Sequence, residues 1–533
     1  MSLWACLMAV TVTAQVPYHS QVWCPDNGDG TYTNPVLYAD YSDPDVCAVG
    51  EDYYLIASSF NCIPGLPILH SKDLVNWEII GHALTALEPK ELFDQPQHGK
   101  GVWAPSIRYH EGEFYIYWGD PDQGIFMVKT KDPAGEWERP VCVIEGKGMI
   151  DPCPLWDDGH CYLVHAWAAS RAGFNSVLTV RELSPDGKRA IGQPRIVFDG
   201  GQENHTAEGP KFYKRDGWYW IMCPAGGVAM GWQLAMRSRS PYGPYEWKRV
   251  MQQGKTDING PHQGAWIQTS FGEDWFLHFN DKGAYGRVVY LQPVDWSSGW
   301  PIMGKDGEPY AKYRKPKSNS ATIVNPQEND EFNDGILGKQ WQWHANYSPL
   351  YGMPTADGVM RLYTHYLEGS LWDAPNLLLQ KPTASRFTAT TKVRFAAKEN
   401  GQYAGLLMMG RDYSALVLQR QGDAFILQRH TCIGADEGKE EDVKSLAVLK
   451  PTERDTIPYS PALYIDMYLR VGVMDGQCTF SYSIDGKVYE QAGDVFQMKE
   501  GKWIGAKYGF VAEQSSRQGN RGWIDIDWMR VDK

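Results

Sequence analysis

Apolar and polar residues alternate along this chain in short runs, and one arrangement returns five times: an opener, a strand-like run, a polar turn and an aromatic strand. The copies are SDPDVCAVGEDYYLIASS from Ser42, WAPSIRYHEGEFYIYWGD from Trp103, IDPCPLWDDGHCYLVHAW from Ile150, AEGPKFYKRDGWYWIMCP from Ala207 and GPHQGAWIQTSFGEDWFLHF from Gly260. Turns such as Arg-Asp-Gly and Gly-Glu-Asp supply the Gly-containing chemistry of hairpins. Each pair is followed by a third and a fourth strand-like run, and four strands make one propeller blade. Five units predict a five-bladed β-propeller over residues 27–315.

In a propeller the first strand of every blade lines the central channel and enters it from the same end. The five opening residues then form a ring, read as Asp43, Ala104, Asp151, Glu208 and His262. Three carboxylates, from blades one, three and four, face one funnel. Residues 310–330 are rich in Lys, Pro, Ser and Asn and read as a connector. Beyond it, runs such as RFTATTKVRFA, YSALVLQR and GWIDIDWMRV alternate with no competing helical period, which predicts a concanavalin-like antiparallel β-sandwich over 328–533. The expected fold class is all-β.

Size and charge narrow the chemistry. A chain of 533 residues exceeds what one core organises, in line with two domains. Its 64 acidic against 51 basic residues leave a net charge of −13, which repels phosphate backbones and excludes nucleic acid as a natural partner. The 22 Trp, 30 Tyr and 17 Phe offer flat faces that suit both core packing and stacking on sugar rings. MSLWACLMAVTVTAQ, apolar from Leu3 to Val12 and followed by small residues, reads as a signal peptide over 1–14, so export to the periplasm or the medium is expected. No later run approaches the roughly 18 apolar residues of a membrane span. Ten cysteines, nine without the leader, are scattered and form no CxxC pair, which argues against a disulfide framework.

Carboxylates crowded on one ring cannot all ionise freely, so one holds its proton near neutral pH while another stays a base. That division serves glycoside hydrolysis, and an inverting enzyme needs its acid and base about 6.5–9.5 Å apart to admit a water.

The openers SDPDV, VWAPS, MIDPCP, AEGPKFY and GPHQGAW, in this order, resemble glycoside hydrolase family 43, in its β-xylosidase and α-L-arabinofuranosidase branch with a C-terminal sandwich. The resemblance implies inversion and exo action on terminal xylose or arabinofuranose of plant-cell-wall oligo- or polysaccharides such as xylan and arabinoxylan. It implies Asp43 as general base, Glu208 as general acid, and Asp151 as the residue that raises and orients the acid. Phe60 is implied as a wall of the first sugar subsite, Trp103 as its floor and Arg287 as a holder of hydroxyls; from the residues alone, Arg287 reads equally as a rim ion pair. His262 resembles the channel histidine that in some members faces a calcium ion or its waters, and alone reads equally as a core residue.

No cofactor is required by this chemistry. A structural Ca2+ remains open, with Asp330 and Asp527 as candidate ligands in the sandwich. Cys62, Ile63 and Val288 depart from what relatives often carry, which leaves the second sugar subsite undefined. The sandwich is either an accessory module or the donor of a loop to the substrate mouth. A non-catalytic carbohydrate-binding propeller is the alternative function. Sugar preference and oligomeric state are open at this stage.

Overall fold

A computed structural model describes residues 17–455 and 461–533; the leader read at 1–14 lies outside the described residues. Five four-stranded antiparallel sheets follow one another, each in sequential strand order. Blade one comprises Asp45–Val49, Asp52–Ile56, Gly65–Ser71 and Trp77–Leu84. Blade two comprises Trp103–His110, Glu113–Asp120, Gly124–Thr130 and Val141–Glu145. Blade three holds Met149–Asp157, His160–Trp167, Val177–Leu183 and Arg195–Asp199. Blade four holds Lys211–Arg215, Trp218–Ala225, Trp232–Ser238 and Glu246–Gln252. Blade five holds His262–Gln268, Asp274–Asp281, Arg287–Asp295 and Ile302–Met303.

Packing follows from this order. Each sheet buries both faces against its neighbours, so the middle strands read as apolar runs and each gap between blades holds its own hydrophobic cluster. Leu69 and Leu277 pack between blades five and one, Ile68 and Ile116 between one and two, and Ile125 and Leu163 between two and three. Val164 and Ile221 fill the gap between three and four, and Met222 and Phe276 the gap between four and five. Outside the ring, Thr31–Thr33 pairs with Lys312–Arg314, so the segment read as a connector begins with a strand. The Tyr32 hydroxyl donates to Leu291 O at 2.7 Å, and Asn34 Nδ2 donates to both Leu291 O and Tyr310 O. These bonds hold the start of the propeller to blade five.

The C-terminal region is a sandwich of two large sheets. One carries Leu378–Gln380, Lys507–Gln514, Tyr403–Met409, Tyr413–Gln421 and Ala424–Cys432; the other carries Met360–Tyr363, Trp523–Asp532, Arg386–Ala397, Leu463–Met474 and Gln477–Ser483. Strict alternation of buried and half-buried positions along Leu463–Met474 puts Ile465, Met467, Leu469 and Val471 into the shared core. Backbone bonds join the sandwich to blade one, where Ile63 N donates to Trp343 O at 3.1 Å and Asn61 Nδ2 donates to His344 O at 2.7 Å. His98, from the loop before blade two, stacks on Trp372 with ring centroids 3.5 Å apart. All nine described cysteines are free thiols.

Candidate active site

The blade openers carry an unusual backbone. Asp43, Ala104 and Asp151 are left-handed, with φ of 54°, 28° and 56°, and so are Gly209 at 57° and Gln263 at 31°. These five, one per blade, are the equivalent ring positions. Non-glycine residues avoid this conformation, so its recurrence marks a site where strain is retained for placement of side chains. Glu208 and His262 therefore sit one residue before the ring position that the repeat assigned to them. In blade four the ring position is Gly209, packed so that a Cβ would meet the Gln263 side chain at 2.6 Å, and the acid stands one residue earlier. In blade five the same offset turns Gln263 toward the pocket and buries His262 beneath it.

Asp43, Asp151 and Glu208 nevertheless line one pocket of about 400 Å³, together with Phe60, Trp103, Gln263 and Arg287. Asp43 is buried and accepts hydrogen bonds from Ser58 Oγ at 2.7 Å and from Arg287 Nη1 at 2.9 Å. Arg287 is thus an ion-pair partner and a pocket residue at once. Ser58 Oγ in turn accepts from Ala104 N at 2.8 Å, which ties blade one to blade two. Asp151, 3% exposed, accepts from Gly209 N at 2.7 Å, so the residue beside Glu208 is anchored to it.

The two carboxyls of blades three and four both titrate high. Burial pushes Asp151 up to about 7, with the Asp43 charge adding to it and the Gly209 bond opposing. Burial also pushes Glu208 up to about 8, and the like charge of Asp151 adds to that rise. The Glu208 side chain keeps 31% of its surface open to the mouth of the pocket. The carboxyl with a raised pKa is thus also the one with open access, whereas Asp151 is enclosed.

Aromatic rings form the walls. Phe60 meets Trp103 edge to face at 6.2 Å, and Trp103 meets Trp503 in the same manner at 6.1 Å. The indole of Trp103 is set by its Nε1 donating to Gly99 O at 2.9 Å, and the Arg171 guanidinium lies 5.6 Å from its centroid. Trp503 belongs to the sandwich, so a loop of the second domain lends a wall to the pocket of the first. Trp503 is 51% exposed and left-handed at φ 67°. Its loop is fixed by Gly505 N donating to Asp40 Oδ2 at 3.0 Å and Ala506 N donating to Ala284 O at 2.7 Å. The other oxygen of Asp40 accepts from Arg287 N and from Ser42 Oγ, both at 2.9 Å. Asp40 therefore joins the sandwich loop, the arginine and the segment that carries Asp43. Sequence reading missed Trp503 and Asp40; a lone Trp flanked by Lys and Gly in KEGKWIGAK was the available signal for the first.

His262 lies below Glu208, with Nε2 3.6 Å from Glu208 Oε1, and burial holds its imidazole down at about 3 and hence neutral. Neither ring nitrogen has a hydrogen-bond partner among the described residues, and the Gln263 amide nitrogen is likewise unmatched. Such orphaned atoms fit contact with channel waters or a hydrated cation. Among the described residues no group of three or more His, Cys, Asp or Glu is arranged to hold a metal ion directly. The pair Asp330 and Asp527 does not fit a shared calcium. Asp330 accepts from Phe332 N, Gly338 N and Trp341 Nε1 with both its oxygens, and Asp527 Oδ2 is held by the Lys392 cation at 2.7 Å.

A five-bladed propeller with three carboxylates at one channel mouth, walled by aromatic rings, defines a propeller glycosidase. Residues 32–301 match the model of glycosyl hydrolases family 43, and residues 329–532 match the beta xylosidase C-terminal concanavalin A-like domain. The chain belongs to glycosyl hydrolases family 43. It is 36% identical to a putative beta-xylosidase of Xylanibacter ruminicola over 494 residues, which covers 91% of this chain and 86% of that one. It is 32% identical to a non-reducing end alpha-L-arabinofuranosidase of Bacteroides ovatus, over 75% of this chain and 78% of that one. A crystal structure of a family 43 protein mutant from Bacillus licheniformis superposes with a TM-score of 0.81 at 26% identity, covering 94% of this chain and 99% of that one.

Proposed function

We propose that the protein is an exported, inverting exo-glycosidase that releases terminal xylose or arabinofuranose from plant-cell-wall oligo- or polysaccharides such as xylan and arabinoxylan. The observation that carries this is the convergence of Asp43, Asp151 and Glu208 on one pocket in which Glu208 titrates high and reaches the mouth. In this reading the sugar lies against Phe60 and Trp103, with Arg287 holding its hydroxyls. Glu208 protonates the leaving oxygen while Asp43 takes a proton from the attacking water, and Asp151 keeps the proton on Glu208 through its charge. The wall that carries Trp503 closes one side of the pocket, and closure on that side favours the end of a chain over its middle. A hydrated cation touching His262 belongs to the same reading as a spectator of the reaction that sets the floor beneath Glu208.

Incubation with nitrophenyl β-D-xyloside and nitrophenyl α-L-arabinofuranoside tests it, with NMR of the first product. Release of sugar with inverted anomeric configuration is expected. A retained anomer would overturn inversion, and binding of both sugars without any turnover would favour a carbohydrate-binding propeller.

A further inference from the structure

Away from the active site, blade one, the connector and the sandwich meet around a small cavity of about 20 Å³, room for about one water-sized particle. Tyr41 and His82 reach it from blade one, and Gln340, Gln380, Lys381 and Thr383 from the sandwich side. No Asp or Glu is among the described residues that line it.

Several polar atoms around this cavity lack partners. Gln380 is 2% exposed and its buried Nε2 finds no acceptor. The Tyr508 hydroxyl stands beside this amide. Gln340 Oε1 is also unmatched, while the Thr383 hydroxyl faces the Glu328 carboxyl. The half-buried Lys381 packs its Nζ over the Tyr41 ring at 4.0 Å from the centroid and makes no hydrogen bond or ion pair with a described residue. Lys507 stands behind it with Nζ donating to Gln342 Oε1 at 2.8 Å, and Lys339 stands exposed at the rim. Asp40, whose charge Lys381 feels, uses its oxygens on Ser42, Arg287 and Gly505. Burial and the Lys507 charge together push the Lys381 ammonium down to about 7. A cation in that setting gains from a counter-charge.

We propose that this cavity binds a small monovalent anion of the size of chloride, held by Lys381 Nζ with the Gln380 amide as a further donor, and that the anion fastens the sandwich to blade one. Tyr41 lies two residues before Asp43, so the site sits on the segment that carries a pocket carboxylate. Water in the same cavity would satisfy the amide and leave the Lys381 ammonium without a counter-charge. An anion answers both.

Two measurements on the whole chain decide between them. Thermal unfolding is followed in sodium chloride and in sodium gluconate at equal ionic strength, and crystals are soaked in sodium bromide. A Tm that rises by roughly 2–4 °C in chloride at about a hundredfold excess over Kd is expected, with an anomalous bromide peak between Lys381 and Gln380. Lys381→Met is expected to lose both, and Gln380→Leu, which leaves the ammonium in place, to show a smaller chloride response. Equal Tm values in the two salts, or a bromide map with no peak in the cavity, would overturn the proposal.

Discussion

The two walls of the pocket are built differently. On the blade side, Asp43 and Asp151 are buried on strained strand openings and held by hydrogen bonds from Ser58, Arg287 and Gly209. On the sandwich side stands one half-open indole, Trp503, on a loop pinned by the backbone N–H groups of Gly505 and Ala506. Charge sits where the backbone is locked, and apolar surface sits on the element that docks from outside. The difference teaches a division of labour: preorganised electrostatics belong to the propeller, where small displacements are costly, and enclosure belongs to the sandwich. Asp40 joins the two walls, because one of its oxygens holds the sandwich loop and the other holds the backbone of Arg287.

If that division holds, substitutions on the two sides change different kinetic constants. Asp43→Asn, which keeps the shape and removes the carboxylate, is expected to lower kcat about 10³-fold with little change in KM in steady-state assays. Asp151→Asn is expected to lower kcat about 10²-fold and to move the alkaline limb of the kcat/KM profile to lower pH. The sign follows from the groups. An acid must be protonated to act, activity is lost as pH rises through its pKa, and while burial is the main cause that holds Glu208 near 8, removing the Asp151 charge withdraws the next. An alkaline limb left in place would remove Asp151 from that role. Trp503→Ala is expected to raise KM about 10-fold and to leave kcat within about twofold, because lost stacking weakens bound sugar before and during reaction alike. A fall in kcat as large as that of Asp151→Asn would erase the distinction between the walls.

The blade wall was largely legible in the sequence and the sandwich wall was not. A repeat positions its members by symmetry, so five similar openers brought Asp43 and Asp151 to one mouth before any coordinates. Symmetry failed by one residue at Glu208 and His262, where Gly209 and Gln263 take the left-handed position; aligning on acids hid a rule that belongs to backbone conformation. Alternation was enough to predict the sandwich, since Leu463–Met474 buries every second residue. Nothing comparable announces Trp503, a single exposed aromatic in a segment without repeat or period, whose place depends on bonds to Asp40 and Ala284 more than 200 residues away. The strand Lys312–Arg314 was hidden for a similar reason, because its partner is at the other end of the propeller.

Proton donation to the leaving group by Glu208 is the step on which the proposed hydrolysis rests. It is tested most directly by the hydrolysis rates of Glu208→Gln on two substrates: dinitrophenyl xyloside, whose leaving group departs without a proton, and xylobiose, whose leaving group needs one. A loss of about 10³-fold on xylobiose and of no more than about 10-fold on the dinitrophenyl substrate is expected. Equal losses on both would contradict it.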